Sequence, residues 1–73
     1  MEAVYMTYEK NVFIQFEKFL IEGEIIVKDK SNKIVHKQKV KNKNFVMLEL
    51  KEDINRLSIE IVDKTDNKVV KLF

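Results

Sequence analysis

Apolar and polar residues alternate along most of this chain in short segments with the period of β-strands. In one of these segments Val12, Ile14 and Phe16 fall on one face. The opposite face carries Gln15 and Glu17 together with Phe13, which is the period of two expected for a half-buried strand. The pattern predicts seven strands. They are Val4 to Tyr8, Val12 to Leu20, Glu24 to Lys28, Ile34 to Val40, Phe45 to Leu50, Leu57 to Val62, and Val69 to Phe73.

The segment from Leu50 to Ile61 also fits a helical period, because its apolar residues recur every three or four positions. Its second half, however, alternates Leu57, Ile59 and Ile61 with polar residues, and β-branched residues favour strands. We therefore expect a strand over residues 57 to 62, preceded by a polar connection of about one helical turn.

Turn-forming residues separate the predicted strands. Residues 29 to 33 and 63 to 68 both begin with Asp and carry an Asn near their end, which is typical of hairpin tips. Asn tolerates the left-handed backbone conformation that such turns require, and Asn32 and Asn67 are the candidates for it.

Two further connections are predicted from polar residues alone. They lie at Asn42-Lys43-Asn44 and at Glu9-Lys10-Asn11. Gly23, the only glycine, lies at the entry to a predicted strand and is expected to mark a bulge or a bend.

Seventy-three residues make a single all-β domain, residues 1 to 73, which is small for a stable core. The chain has no cysteine and only one histidine, His36, so neither a disulfide nor a zinc set reinforces it. Self-association is therefore one expected source of stability. The cysteine content leaves the compartment open, with the cytoplasm as the default, and no membrane-spanning or secretory segment is visible.

The order of elements resembles the small immunoglobulin-like domains of secreted bacterial proteins, including their C-terminal sorting tails. The similarity covers about the last sixty residues, from Val12-Phe13-Ile14-Gln15-Phe16 through the two Asp-containing turns. It implies a small antiparallel β-sandwich of the immunoglobulin or fibronectin-III type with six to seven strands. Asn55-Arg56-Leu57 stands where those domains often have Gly-x-Tyr, so the secretion role is not carried over.

A five-stranded barrel of the Sm, SH3-like or OB type is the alternative fold, since about seventy residues of alternating strands can also close in that way. Sharply bent barrel strands usually need glycine at their corners, and this chain has one. The sandwich is therefore the favoured prediction.

Enzymatic functions find little support in the residues. Ser31 is explained by its position in a turn, and Ser58 by its position on the solvent-facing side of a strand. His36 has no partners that would make it a base or a metal ligand. Glu22 and Glu24 share a strand face, yet so small a domain offers no cleft between them. We expect no catalytic, cofactor or metal site.

Charge is concentrated in one predicted hairpin. Seven lysines against one acid, Asp29, give residues 28 to 43 a charge of +6, so the rest of the chain carries −4 out of the total of +2. Alternation places several of these lysines on one strand face. The candidate partner-binding residues are Lys28, Lys30, Lys33, Lys37, Lys39, Lys41 and Lys43.

Such a row of lysines has three uses: a solvated strand edge that prevents aggregation, a docking site for an acidic protein, or a contact for nucleic acid phosphates. A protein partner is favoured over nucleic acid, because the segment has no arginine and its nearest ring, Phe45, is expected to be buried.

The sequence thus predicts a non-enzymatic binding or structural module acting through protein contacts, including contacts with itself. The alternatives are a small barrel that binds RNA or single-stranded DNA through the lysine hairpin, and a complete small phage or mobile-element product, starting at Met1, that inhibits a larger protein.

Overall fold

A computed structural model describes residues 2–73 of the chain. These residues form five strands and a single turn of 3-10 helix, Ile54–Arg56. The strands are β1 (Ala3–Tyr8), β2 (Asn11–Asp29), β3 (Ile34–Glu49), β4 (Leu57–Asp63) and β5 (Lys68–Lys71). The all-β prediction is confirmed, as is the strand after residue 56. A sandwich of six to seven strands is not confirmed.

The five strands make one antiparallel sheet that curls into a half-barrel. β2 is its spine. β3 runs along one side of β2, while β1 and β4 lie one after the other along the opposite side, and β5 adds to β4. β1, β3 and β5 are therefore the edge strands.

Two predicted breaks between strands do not exist, which is why the strand count is lower than expected. Residues 12 to 20 and 24 to 28 belong to the same continuous strand, β2. The predicted connection at residues 42 to 44 is also wrong, because β3 continues through it. Asn42 takes a left-handed φ of 51° inside the strand, so the turn-forming residue is accommodated as a local irregularity.

A bulge in β2 produces the curl. From Gln15 to Leu20 β2 advances five residues while β3 advances only two, from Phe45 to Lys43, so β2 contains three extra residues. The bulge or bend expected at Gly23 lies between Gln15 and Leu20 instead. A flat strand of 19 residues would be about 60 Å long, whereas the largest extent of the molecule is 29 Å.

The bulge also changes which residues of β2 face inward. Up to Leu20 the buried residues are even-numbered, such as Val12 and Ile14, and from Gly23 on the buried apolar residues are odd-numbered, such as Ile25 and Val27. The buried residues of β3 are even-numbered on both sides of this bulge, as Val40 and Val46 show. The inner face carries the core, which is entirely aliphatic apart from one ring: Val12, Ile14, Phe16, Leu20, Ile25, Val27, Val40, Val46, Leu48, Leu50, Leu57, Ile59 and Ile61.

Both predicted hairpin tips are present, and each is held by its first aspartate. Asp29 Oδ1 accepts hydrogen bonds from the backbone N–H of Ser31 at 2.9 Å and of Lys33 at 3.0 Å. Asp63 accepts in the same way from the two residues that follow Lys64. Asn32 and Asn67 have left-handed φ values of 68° and 55°, which confirms their predicted role.

Candidate interaction surface

An exposed apolar area covers the outer side of the sheet where β1, the first part of β2 and the last part of β3 lie side by side. In register, Met6 stands beside Phe13 and Phe13 beside Met47. Val4 and Phe45 flank Gln15 in the next row. We call this area the apolar face; its residues are Val4, Met6, Tyr8, Phe13, Phe45 and Met47.

The side chains of the apolar face are open to solvent although they are large. Val4 and Met6 are each 68% exposed, and Met47 is 53% exposed. Phe13 is half-buried because the Phe45 ring stacks on it with the ring centroids 6.4 Å apart. An uncharged area of this size on the outside of a small domain is typical of a contact surface.

Phe45 was expected to be buried, and that prediction is wrong, since its side chain is 49% exposed. The neighbours Val46 and Leu48 are the buried residues of this run. Four successive apolar residues conceal the alternation. The signal that was available is Glu49, which shares its strand face with Phe45 and Met47 and so marks that face as the outer one.

The structure places the predicted lysines in two groups. Lys28 belongs to β2, and Lys30 and Lys33 lie in the exposed turn that follows it. The other four lie on β3. Three of them alternate on its outer face, as predicted, and we call them the lysine row: Lys37, Lys39 and Lys41. Lys43 follows the irregularity at Asn42 and stands opposite Leu20.

Acids on β2 face the lysine row. Lys39 stands opposite Glu24 in register, and Lys41 stands opposite Glu22. Lys37 Nζ approaches Glu24 Oε2 at 3.4 Å. Lys28 is likewise paired, with Glu60 at 3.6 Å. The charge of +6 counted from the sequence thus overstates the positive charge of this surface, because it leaves out the glutamates of β2 and β4 that lie next to the lysines.

Glu24 is the most closely held of these acids. Its residue is only 9% exposed, and its Oε1 lies 2.6 Å from Lys64 Nζ. The hydrogen bond from Lys64 and the neighbouring Lys37 lower the pKa of the Glu24 carboxyl, although burial acts in the opposite direction. The same contact raises the pKa of Lys64.

Ser31 and His36, the serine and the histidine weighed for catalysis, have other hydrogen-bond partners than each other. Ser31 donates its hydroxyl to Asp29 Oδ1 at 2.6 Å, and that hydrogen bond is the main cause that lowers the pKa of Asp29. His36 is exposed on β3, 3.5 Å from the Gln38 amide oxygen. Within residues 2–73, no three His, Cys, Asp or Glu side chains cluster in a way that could hold a metal ion.

Comparisons with known proteins add nothing to this picture. No protein-family model, curated protein or solved structure matches the chain. In the part of the chain that the structure describes, there is also no helix of the length and apolarity needed to cross a membrane.

The apolar face was missed at the sequence level because its residues come from three strands. Met6, Phe13 and Met47 are adjacent only through the register of β1, β2 and β3. The lysine row, by contrast, lies within one strand, so its alternation could be read directly from the sequence.

Proposed function

We propose that this domain is a non-enzymatic binding module that acts through protein–protein contacts, and that the apolar face is its contact surface. The observation that carries the proposal is the exposure of large apolar side chains side by side on three strands, such as Met6 at 68% and Met47 at 53%. When a partner covers such side chains, apolar surface is removed from water, and this burial favours binding.

Contact surfaces of proteins are enriched in aromatic residues and methionine and depleted in lysine and glutamate at their centre. The apolar face has this composition, with Phe13 and Phe45 stacked at its middle. Its rim is polar: Glu49 stands in register with Asn11 at one end, and Glu17 lies beyond Gln15 at the other.

A nucleic acid contact through the lysine row has weaker support. Glu22 and Glu24 stand beside Lys41 and Lys39, so phosphates approaching these lysines would also meet carboxylates. Binding modules for single strands add exposed rings to such a row, and the exposed phenyl ring of β3, Phe45, lies on the apolar face and not beside the lysine row.

Site-specific photo-crosslinking in the native host tests the proposal. Benzoyl-phenylalanine would replace Met47 on the apolar face, and in the control it would replace Val69, which is 63% exposed on β5. We expect a defined protein adduct from position 47 and not from position 69. Equal or absent adducts from the two positions would overturn the proposal.

An oligonucleotide-binding measurement distinguishes the proposed protein contact from a nucleic acid contact through the lysine row. A pool of labelled RNA and single-stranded DNA should not bind at moderate salt, and the triple change of Lys37, Lys39 and Lys41 to Glu should leave the position-47 adduct in place. Tight, salt-dependent oligonucleotide binding that this triple change abolishes would instead assign the domain to nucleic acid.

A further inference from the structure

We infer that the partner of the apolar face is a second copy of this chain, with the two faces packed against each other as two sheets pack in a β-sandwich. This inference rests on the proposed function, because it names the occupant of the same surface. Sheets packed face to face lie about 10 Å apart with their side chains interdigitated. The two-sheet arrangement expected from the sequence would then form between two chains.

The area of the apolar face is close to what a stable dimer needs. Its six residues expose on the order of 600 Å² together, since a large side chain offers about 150–250 Å² when it is fully open. Two such faces would bury about 1,200 Å² before their rims are included, which is the lower end of specific interfaces. A much smaller face would not support a dimer of this small domain.

Covering the apolar face would bury no unpaired charge. None of its six side chains is ionisable except the phenol of Tyr8 at its margin. Gln15, the polar residue between Val4 and Phe45, already donates Nε2 to the Asn44 carbonyl oxygen at 2.8 Å. A strongly charged partner would therefore find no counter-charge here, whereas a face of the same composition would fit.

The small core gives the chain a reason to associate with itself. Thirteen buried apolar side chains form it, and the sequence holds no cysteine that could add a disulfide. Domains of this size commonly gain the missing stability from oligomerisation. In a two-fold dimer the same surface is used twice, so one apolar face is sufficient.

Edge-to-edge pairing is the competing way for two copies to meet. Along β3 it would bring the lysines of the two copies together, which opposes it. β1 is the uncharged edge. The backbone N–H of Glu17 donates a hydrogen bond to the carbonyl oxygen of Glu2, so these two residues form a hydrogen-bonded pair. Hydrogen-bonded and non-hydrogen-bonded pairs alternate along antiparallel strands. The N–H and C=O groups of Tyr5 and Thr7 therefore point away from β2. Thr7→Pro would block this edge without removing a bond to β2.

Analytical ultracentrifugation of the purified chain over a dilution series tests the inference. We expect twice the mass of the 8.7 kDa chain at high concentration and dissociation on dilution. Met47→Lys should raise the dissociation constant about tenfold or more, because the two-fold axis places two lysines in the interface. Val69→Lys, an equally polar change on the outside of β5, and Thr7→Pro should leave the dimer intact.

A wild-type chain that stays monomeric at every concentration would overturn the inference without any variant. So would a dimer that Thr7→Pro breaks and Met47→Lys spares, since that result assigns the contact to the β1 edge. An adduct between position 47 and a different protein, together with a monomeric purified chain, overturns this inference and leaves the proposed function standing. The proposed function fails on its own if no adduct specific to position 47 forms.

Discussion

Lys64 Nζ lies 2.6 Å from Glu24 Oε1, so the turn between β4 and β5 is tied to the outer face of β2. The contact is local to the half of the sheet that does not carry the apolar face. It offers a way to change the stability of the domain without touching the proposed contact surface.

Acidification should weaken the domain through Glu24. Its pKa is lowered in the folded chain, so its stabilising effect is complete above the ordinary pKa of 4.5 and is lost as the pH falls through the lower folded value. The difference in unfolding free energy between wild type and Glu24→Gln, measured with urea, should therefore shrink from pH 6 to pH 3. Glu17→Gln, an exposed acid on the same strand, is the control. A difference that does not change with pH would contradict the assignment.

Gly23→Ala should destabilise the fold. A methyl group at position 23 would collide with the backbone carbonyl oxygen of Val62 and lie 2.9 Å from a methyl carbon of Leu20. Relief requires β2 and β4 to separate, and overpacking of this kind typically costs about 1–3 kcal/mol. Urea unfolding measures it, with Glu22→Ala on the exposed face of the same strand as the control. Equal losses in the two variants would show that the close approach has no energetic effect.

The left-handed turn position at Asn32 gives a matched pair of variants. Its φ of 68° favours glycine over any residue with a Cβ. Asn32→Gly should be close to neutral, whereas Asn32→Ala should lose about 1 kcal/mol of unfolding free energy in urea. If alanine were tolerated as well as glycine, the turn would have a different backbone conformation.

Substitution of two phenylalanines distinguishes an effect on stability from an effect on binding. Phe16 is 1% exposed and Phe45 is 49% exposed, although both are on strands of the same sheet. Phe16→Ala should lose about 3–5 kcal/mol of unfolding free energy, and thermal unfolding should show it. Phe45→Ala should change stability much less and weaken self-association in the ultracentrifuge. A large loss of stability in the Phe45 variant of the monomer would place that ring in the core instead.

Local signals in the sequence were sufficient for the all-β class and for the two hairpin tips. Alternation identified Leu57 to Val62 as a strand, and an Asp followed by a late Asn identified both hairpin tips. Each of these features depends on neighbouring residues, whose side chains and backbone interact within one turn or one strand.

Features that depend on register were not predictable in the same way. Residues 42 to 44 have the composition of a turn, yet pairing with β2 keeps them in a strand. The lysine row was found, but the glutamates beside it were not, because Glu22 and Lys41 are distant in sequence and adjacent only in the sheet. The apolar face is of the same kind, since it exists only after three strands are aligned.

The three extra residues in β2 restrict how the length of this chain can change. Strict alternation from Val12 and Ile14 would point Ile25 and Val27 outward, so an odd number of extra residues needs an irregular backbone to keep them inside. Deleting Lys18 alone would leave two extra residues, and strict alternation would then keep Ile25 and Val27 on the inner face. Deleting Lys18 and Phe19 together would leave one extra residue, and the irregular backbone would still be needed. We expect urea unfolding to show a smaller loss of stability for the single deletion than for the double deletion, and the reverse order would contradict this parity rule, which ordinary surface loops do not have.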